Sequence, residues 1–370
     1  MGGFEKEERF EAAFQRGQAG EISSLDMWLQ ETGFDPDRVS QQFLAEFFRK
    51  HPEKAPGHQQ PLEEIAEYVG FFTQKGGTHH IPVVGVCGIG KTQLLHTVSY
   101  MLDQVAEDVP QRRYSAERFS EAGDELEQYF DEVVDDLSGM EEVIVLIDDC
   151  EQYKRIVESL DRVEGTVENS LVVTAWTPER WNMDQDRVNE KLPLSKEIYL
   201  TPFEETDTVQ MLEIAVEAMA AGDPQLPEEV LTRIHEKSYG IPILSIRSLI
   251  GVLNEVFLKE LDMDDRVTVD AAIERLNLEA ATERSYGISD TKMTVLKHIL
   301  LAYDSRGRRP SELVELLDRD KSTVSYHLQA LSSEKVVESE KFGRSTFYRV
   351  HENLKPLLQR RIAKQGEHHD

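Results

Sequence analysis

Apolar residues along this chain keep one period, lose it and take up another, and those changes mark its elements. Up to about residue 50, charged and apolar groups alternate at helical spacing, as at Phe43, Phe47 and Phe48 in SQQFLAEFFRK. HPEKAPGH, at 51–58, is rich in Pro and Gly and reads as a linker. PLEEIAEYVGFF predicts a helix and IPVVGV a strand. The run after GVCGIGKT predicts a second helix, with Leu94, Leu95, Val98, Tyr100 and Met101 as its apolar positions. An acidic helix is expected over 116–137. VIVLI, at 143–147, is apolar throughout and bounded by charges, the pattern of a parallel strand buried on both faces. LVVTAW (171–176) and EIYLTPF (197–203) predict two more strands. Strands that alternate with helices imply an α/β layer around a parallel sheet.

Past Pro202 the strand pattern stops. TVQMLEIAVEAMAAG, PEEVLTRIHEKSYG and IPILSIRSLIGVLNEVFLKEL are helical in succession, and DMDDRVTVD begins a connector. From Thr291 the chain reads helix, helix, helix, hairpin, helix. The expected divisions are an N-terminal helical region (1–57), an α/β core (58–202), a helical lid and connector (203–285) and a C-terminal unit (286–370). No internal repeat or low-complexity segment interrupts them.

Composition changes this picture in one respect. The 370 residues carry a formal net charge of −29, which disfavours contact with nucleic acid. The charge is uneven, however. Residues 286–364 hold 15 Lys and Arg against 10 Asp and Glu, a net of +5, which leaves −34 on the rest. A basic C-terminal unit is therefore attached to an acidic body. The acidity resembles that of proteins from salt-loving archaea, where it serves solubility. No apolar run reaches the roughly 18 residues of a membrane span. MGGFEKEERFEAA lacks the apolar stretch of a signal peptide, and the two cysteines, Cys87 and Cys150, form no disulfide framework. A cytoplasmic setting is the expectation.

GVCGIGKT, Gly85 to Thr92, satisfies G-x-x-x-x-G-K-[ST] in full, between a predicted strand and a predicted helix. Gly85, Gly88 and Gly90 let backbone N–H groups turn inward around Ile89 and toward a phosphate. Lys91 supplies charge to the β- and γ-phosphates, Thr92 offers a hydroxyl to Mg²⁺, and Gln93 follows on a helix whose positive end faces the anion. Asp148, closing the VIVLI strand, is the expected Mg²⁺ partner. Asp149 is the candidate for polarising the attacking water, with Glu151 a weaker substitute. The implied cofactors are ATP or ADP and Mg²⁺.

GVCGIGKT, VIVLIDD, LVVTAW and the helical segment after TPFEETD resemble the core of the AAA+ and STAND P-loop ATPases, over about residues 58–260. That resemblance implies an α/β P-loop sheet followed by a helical lid. Many such ATPases carry Glu where Asp149 stands, and the shorter carboxylate implies slow turnover. Thr174 or Thr177 stands where the family senses the γ-phosphate, although both fit equally as ordinary strand-end threonines. Arg180 and Arg187 are candidate arginine fingers for a neighbouring subunit, which implies a homo-oligomer. HQQPLEEIAEYV resembles the segment before the phosphate loop in archaeal origin-recognition ATPases, which often carries Arg where His58 or Gln59 stands. Gly240 and Pro242 match the Gly-x-Pro of STAND proteins. Arg247 is the candidate second sensor, or else lies on a solvent face.

In DRDKSTVSYHLQALSSEKVV, with about 100° per residue, Leu328 and Leu331 fall within about 40° of Val324. Ser322, Ser325, Tyr326 and Gln329 fall on the opposite face. The hairpin that follows turns at the basic KFGR. These residues resemble the ArsR/MarR class of winged helices, over about 290–358. By that likeness Ser322, Thr323, Ser325, Tyr326 and Gln329 face bases, and Lys321, Arg308, Arg309, Lys341 and Arg344 contact phosphates. His327 is expected to pack at the edge of the stripe. The expected function is an ATP-binding, nucleotide-switched protein and slow ATPase. It would act on double-stranded DNA through its C-terminal winged helix, in replication initiation or transcription regulation. The second reading is a STAND-like signalling or assembly ATPase whose winged helix makes protein contacts only.

Overall fold

Five parallel strands run through the centre of the protein in the order β2-β3-β4-β1-β5. They are β1 (Thr78–Val84), β2 (Gln111–Ser115), β3 (Glu142–Asp148), β4 (Asn169–Trp176) and β5 (Ile198–Tyr199). A computed structural model supplies these coordinates and describes residues 25–115, 132–153, 156–224, 226–259, 269–271, 288–302 and 306–366. The acidic helix expected over 116–137 lies outside the described residues up to 131, and 132–137 is helical. Residues 1–24 and most of the expected connector also lie outside them.

The apolar run of β3 is buried on both sides, as its composition requires. Val143, Val145 and Ile147 join one core cluster with Val172 and Trp176, and Ile144 and Leu146 join the other with Leu171 and Val173. Fully burying each such side chain stabilises the fold by about 1.5–3 kcal/mol. β2 was not foreseen, because QRRYS has little apolar character. It is held as a strand by pairing with β3, with only Tyr114 buried. β5 is shorter than EIYLTPF implied, at two residues.

Helices α1 (Leu25–Glu31) and α2 (Gln41–Lys50) precede α3 (Gln59–Lys75), and α4 (Lys91–Val105) follows β1. Ser40 caps α2 by accepting from the Phe43 N–H, and Leu44 and Phe48 are buried. α2 lies against α4 and the lid, so the described part of the N-terminal region joins the main core. α5 (Ile156–Glu164) and α6 (Pro178–Asn189) flank β4 in sequence. The lid is α7 (Glu205–Met219), α8 (Glu228–Ser238) and α9 (Pro242–Lys259).

The C-terminal unit comprises α10 (Asp290–Leu300), α11 (Pro310–Leu317), α12 (Lys321–Ser333), the antiparallel hairpin β6 (Val337–Phe342) and β7 (Ser345–Val350), and α13 (Lys355–Gly366). Val324, Leu328 and Leu331 are the buried residues of α12, as its periodicity implied. Arg308 exchanges two backbone hydrogen bonds with Tyr348 and so adds a bridge beside the hairpin. Among the described residues no helix is long and apolar enough to cross a membrane.

Candidate nucleotide site

The turn from β1 into α4 opens on a cavity of about 1010 Å³. Its walls come from α2, the 52–59 segment, the ends of β2 and β3, and the lid helices α7 and α9. Gly88, at φ 72°, makes the turn, and a Cβ there would lie 2.0 Å from Ile243 Cγ2. The Ile243 N–H donates to the Gly88 carbonyl at 3.2 Å, so the lid rests on the loop itself. The Leu94 N–H bonds to the Gly90 carbonyl at 2.8 Å, and the N–H groups ahead of it in α4 are left for an anion.

Gly88, Gly90, Lys91, Thr92 and Gln93 line this cavity together with Asp148, Asp149 and Glu151. The sheet order makes this possible: β3 ends beside β4, which ends beside β1. Lys91 is buried and donates from Nζ to the Gly85 carbonyl at 2.8 Å. Gln93 donates from Nε2 to the Phe48 carbonyl at 3.1 Å, which ties α4 to α2. Gly85 and Ile89 shape the loop from behind, and Ile89 is fully buried. Asp148 is 3% exposed, and its Oδ1 accepts the Asp149 N–H at 2.9 Å. Asp149 holds the left-handed φ of 53°, a conformation that costs a non-glycine residue energy and that clusters at functional sites. The Glu151 Oε2 is buried with no partner among the described residues. A lysine, a hydroxyl and three carboxylates beside the N–H groups that open α4 suit a polyphosphate with a divalent cation.

One wall of the cavity was missed, because HPEKAPGH reads as a linker. Pro52–Lys54 is instead a short 3₁₀ turn, and Pro52, Ala55, Pro56, Gly57 and His58 line the cavity. His58 Nε2 lies 2.8 Å from the Ile89 carbonyl, and since a carbonyl only accepts, that nitrogen carries the proton. Burial lowers the His58 pKa, against the Ile89 hydrogen bond and the Asp207 charge, which raise it. Its ring meets Phe203 edge-on at 4.9 Å. A Cβ on Gly57 would lie 2.4 Å from the same phenyl ring.

Several expected residues are used elsewhere. Thr174 is fully buried inside β4, where its Oγ1 accepts from Trp176 Nε1 at 2.7 Å and pairs with His80 Nε2 at 2.8 Å. It is core structure and takes no place in the cavity. Arg247 also stays outside it, donating to Gln41 Oε1 at 3.0 Å and Asn353 Oδ1 at 2.7 Å. Ile243 and Ile246 take the lid's inward positions instead. Arg180 is 3% exposed and ion-paired to Asp184 at 2.6 Å, so it does not extend toward a neighbouring subunit. Arg187 is exposed and pairs with Glu158 and Asp184. Arg308 donates to the carbonyls of His298 and Leu301, closing the end of α10 rather than meeting phosphate. Arg309 is bound to Glu312.

The C-terminal unit reaches the loop through α13. Gln359 is fully buried, and its Oε1 accepts the Cys87 N–H at 2.6 Å. Its Nε2 donates to Glu179 Oε1 at 2.6 Å, and burial raises the pKa of Glu179. On the outer side, Lys321, Ser322, Gln329, Lys341 and Arg344 are exposed, as is Tyr326 at 67%, while Thr323 and Ser325 are half-buried. His327 is half-buried beside the Tyr326 ring. Asp320 caps α12, accepting the Thr323 N–H at 2.9 Å and the hydroxyls of Ser322 and Thr323. Those bonds, Ser322 first, hold its carboxyl well below the usual range. Arg306 lies over Phe342 and Phe347 at 5.5 and 5.4 Å and braces the hairpin turn.

No family model matches the chain, and no curated protein matches it. Among solved structures, the Orc1 protein of Aeropyrum pernix in complex with DNA is similar, at 16% identity and a TM-score of 0.50, over 84% of this chain and 93% of that one. The Drosophila ORC bound to DNA is 13% identical over 95% and 98% of the two chains, with a TM-score of 0.49. The Thermotoga maritima RuvB Holliday junction branch migration motor is 18% identical over 82% and 95%, with a TM-score of 0.44. The Orc1 likeness shows the shared fold, a P-loop α/β sheet followed by helical elements.

Proposed function

We propose that this protein binds ATP and ADP with Mg²⁺ and uses the nucleotide to switch a C-terminal winged helix on double-stranded DNA, in replication initiation or transcription regulation. The observation that carries this reading is one cavity in which Lys91 and Thr92 face Asp148, Asp149 and Glu151. In it Lys91, Thr92 and the first N–H groups of α4 hold phosphates, and Asp148 with Thr92 holds the cation. The bound cation supplies charge neutralisation and Lewis acidity. Asp149 or Glu151 orients and deprotonates water, so hydrolysis is slow wherever the shorter Asp149 serves. Residues 286–366 act as the reading head, with Lys321, Ser322, Thr323, Ser325, Tyr326, Gln329, Lys341 and Arg344 on its outer face. The solved Orc1 protein that shares the fold is itself in complex with DNA.

One observation favours the second reading, in which the winged helix makes protein contacts only. Asp320 places a negative charge among the proposed base readers and engages the Ser322 and Thr323 hydroxyls. The two readings separate in a fluorescence-anisotropy titration of a labelled duplex, run over a salt series because of the acidic body. DNA binding by the full chain that weakens about tenfold or more in Tyr326→Ala/Arg344→Ala supports the DNA reading. Both residues are exposed, so this variant keeps its fold. Undiminished binding refutes the assignment of that face.

A further inference from the structure

Asp320 puts a negative charge at the front of α12, on the face assigned to DNA, where it repels phosphate. Both of its oxygens are engaged. Oδ1 accepts the Thr323 N–H at 2.9 Å and the Ser322 hydroxyl, and Oδ2 accepts the Thr323 hydroxyl at 2.7 Å. Each hydroxyl proton is thus spent on the carboxylate, and the Ser322 and Thr323 oxygens keep only lone pairs for any other partner. The Ser322 bond above all holds the Asp320 carboxyl well below the usual range, so it stays ionised and donates nothing. Asp320 and Ser322 are exposed and Thr323 is half-buried. These three side chains therefore present acceptors alone. Farther along the same helix stand Tyr326, 67% exposed, and the exposed Gln329, both able to donate. The hairpin adds the exposed cations Lys341 and Arg344. Those donors and cations suit an anionic polymer independently of the helix cap.

We propose that Asp320 sets the base preference of this head: with Ser322 and Thr323 it forms an acceptor-only patch that takes the exocyclic amine of adenine or cytosine and rejects guanine and thymine. This rests on the DNA reading of the face. In the major groove the amino bases offer N6–H₂ or N4–H₂, whereas the keto bases offer the acceptors O6 or O4. The N-terminal residues of a helix lying in that groove are the ones that meet base edges. An amine set against the carboxylate gains a charge-assisted hydrogen bond. A carbonyl set against it leaves two desolvated acceptors face to face with no proton between them. Discrimination also needs the hydroxyls fixed, since a hydroxyl free to rotate donates to a keto base as readily as it accepts from an amine. Asp320 fixes both. The charge that weakens attraction to DNA at large therefore sharpens the choice among sequences.

The test uses the full chain, a pool of duplexes with a randomised core, and a duplex of unrelated sequence. Wild type is compared with Asp320→Asn and Asp320→Ser, two residues that cap a helix as well as aspartate does, so α12 keeps its start. In wild type the enriched site is expected to hold adenine or cytosine at one position, and inverting that base pair to weaken binding about tenfold. In both variants the same inversion is expected to cost less than about threefold. Their affinity for the unrelated duplex is expected to hold or rise, since a negative charge has been removed. An inversion penalty that is unchanged in both variants overturns the base preference alone, as does wild type that binds DNA without enriching an amino base. A loss of binding by the variants to every duplex alike makes Asp320 a helix cap only and overturns it too. Should wild type bind neither the pool nor the unrelated duplex, the DNA reading of the face and this inference fall together.

Discussion

Arg247 on the lid donates to Asn353 ahead of α13 at 2.7 Å and to Gln41 at the start of α2 at 3.0 Å, so one guanidinium ties together three segments distant in sequence. Arg247→Ala is expected to destabilise the protein by about 2 kcal/mol, from two charge-assisted hydrogen bonds in a partly buried setting. Nucleotide affinity is expected to stay within about threefold. Denaturant unfolding and a nucleotide titration check the two expectations. A large loss of affinity without loss of stability would return Arg247 to the sensor role.

The contact between the loop and the lid is testable at Gly88. Gly88→Ala places a Cβ 2.0 Å from Ile243 Cγ2 and forces alanine to φ 72°. The backbone part costs about 1–2 kcal/mol. Adding Ile243→Ala removes the 2.0 Å contact with Cγ2 but keeps the Ile243 Cβ at 2.7 Å, so it relieves the collision in part and leaves the backbone cost. A double-mutant cycle on melting is therefore expected to show coupling above about 0.5 kcal/mol. Additivity would mean that the lid does not rest on the loop.

Burial holds the fully enclosed His80 at a pKa of about 3, against 6.5 for an ordinary histidine. The folded chain keeps it neutral while the unfolded chain takes up a proton below pH 6.5. The stability it allows is present above that pH and lost between 6.5 and 3, by about 1.4 kcal/mol per pH unit. His80→Asn is expected to remove that part of the slope. Parallel slopes for wild type and variant in acid titrations of stability would contradict it.

Thr174 lends itself to a clean separation of roles. Thr174→Val keeps the shape but strands the Trp176 indole N–H and the His80 ring in the core. A loss of about 1–3 kcal/mol is expected with no change in nucleotide affinity. Differential scanning fluorimetry with and without ADP reads both.

Lys91→Ala is expected to weaken nucleotide binding about 30-fold or more, since it deletes the one loop cation that lines the cavity. Glu151→Gln, by contrast, is expected to leave binding intact and to slow phosphate release about 100-fold, because the carboxylate lines the cavity beside Asp148 and Asp149 and the amide that replaces it takes up no proton. If Asp149→Asn slows release and Glu151→Gln does not, the base is Asp149.

Much of the fold was legible because it rests on local pattern. The run VIVLI can only be a strand covered on both faces, and the α12 stripe of Val324, Leu328 and Leu331 needs no distant partner to be recognised. The loop was legible because phosphate chemistry restricts residue types over a short span. What stayed hidden depends on neighbours far along the chain. β2 is a strand because β3 lies beside it. Arg308 and Arg180 carry the charge expected of binding residues, but local acceptors, two carbonyls and Asp184, absorb them. Gln359 carries no signal at all, since its two partners lie 272 and 180 residues away.

The Phe203 ring abuts Gly57 on one side, and its N–H is fixed to the Gly240 carbonyl at 2.8 Å on the other. The cavity wall at 57–58 and the turn into the last lid helix thus share one aromatic wedge. Any rotation of the three lid helices must drag the turn before α3 with it, so the width of the cavity at that wall and the swing of the cap are two readings of a single mechanical coordinate.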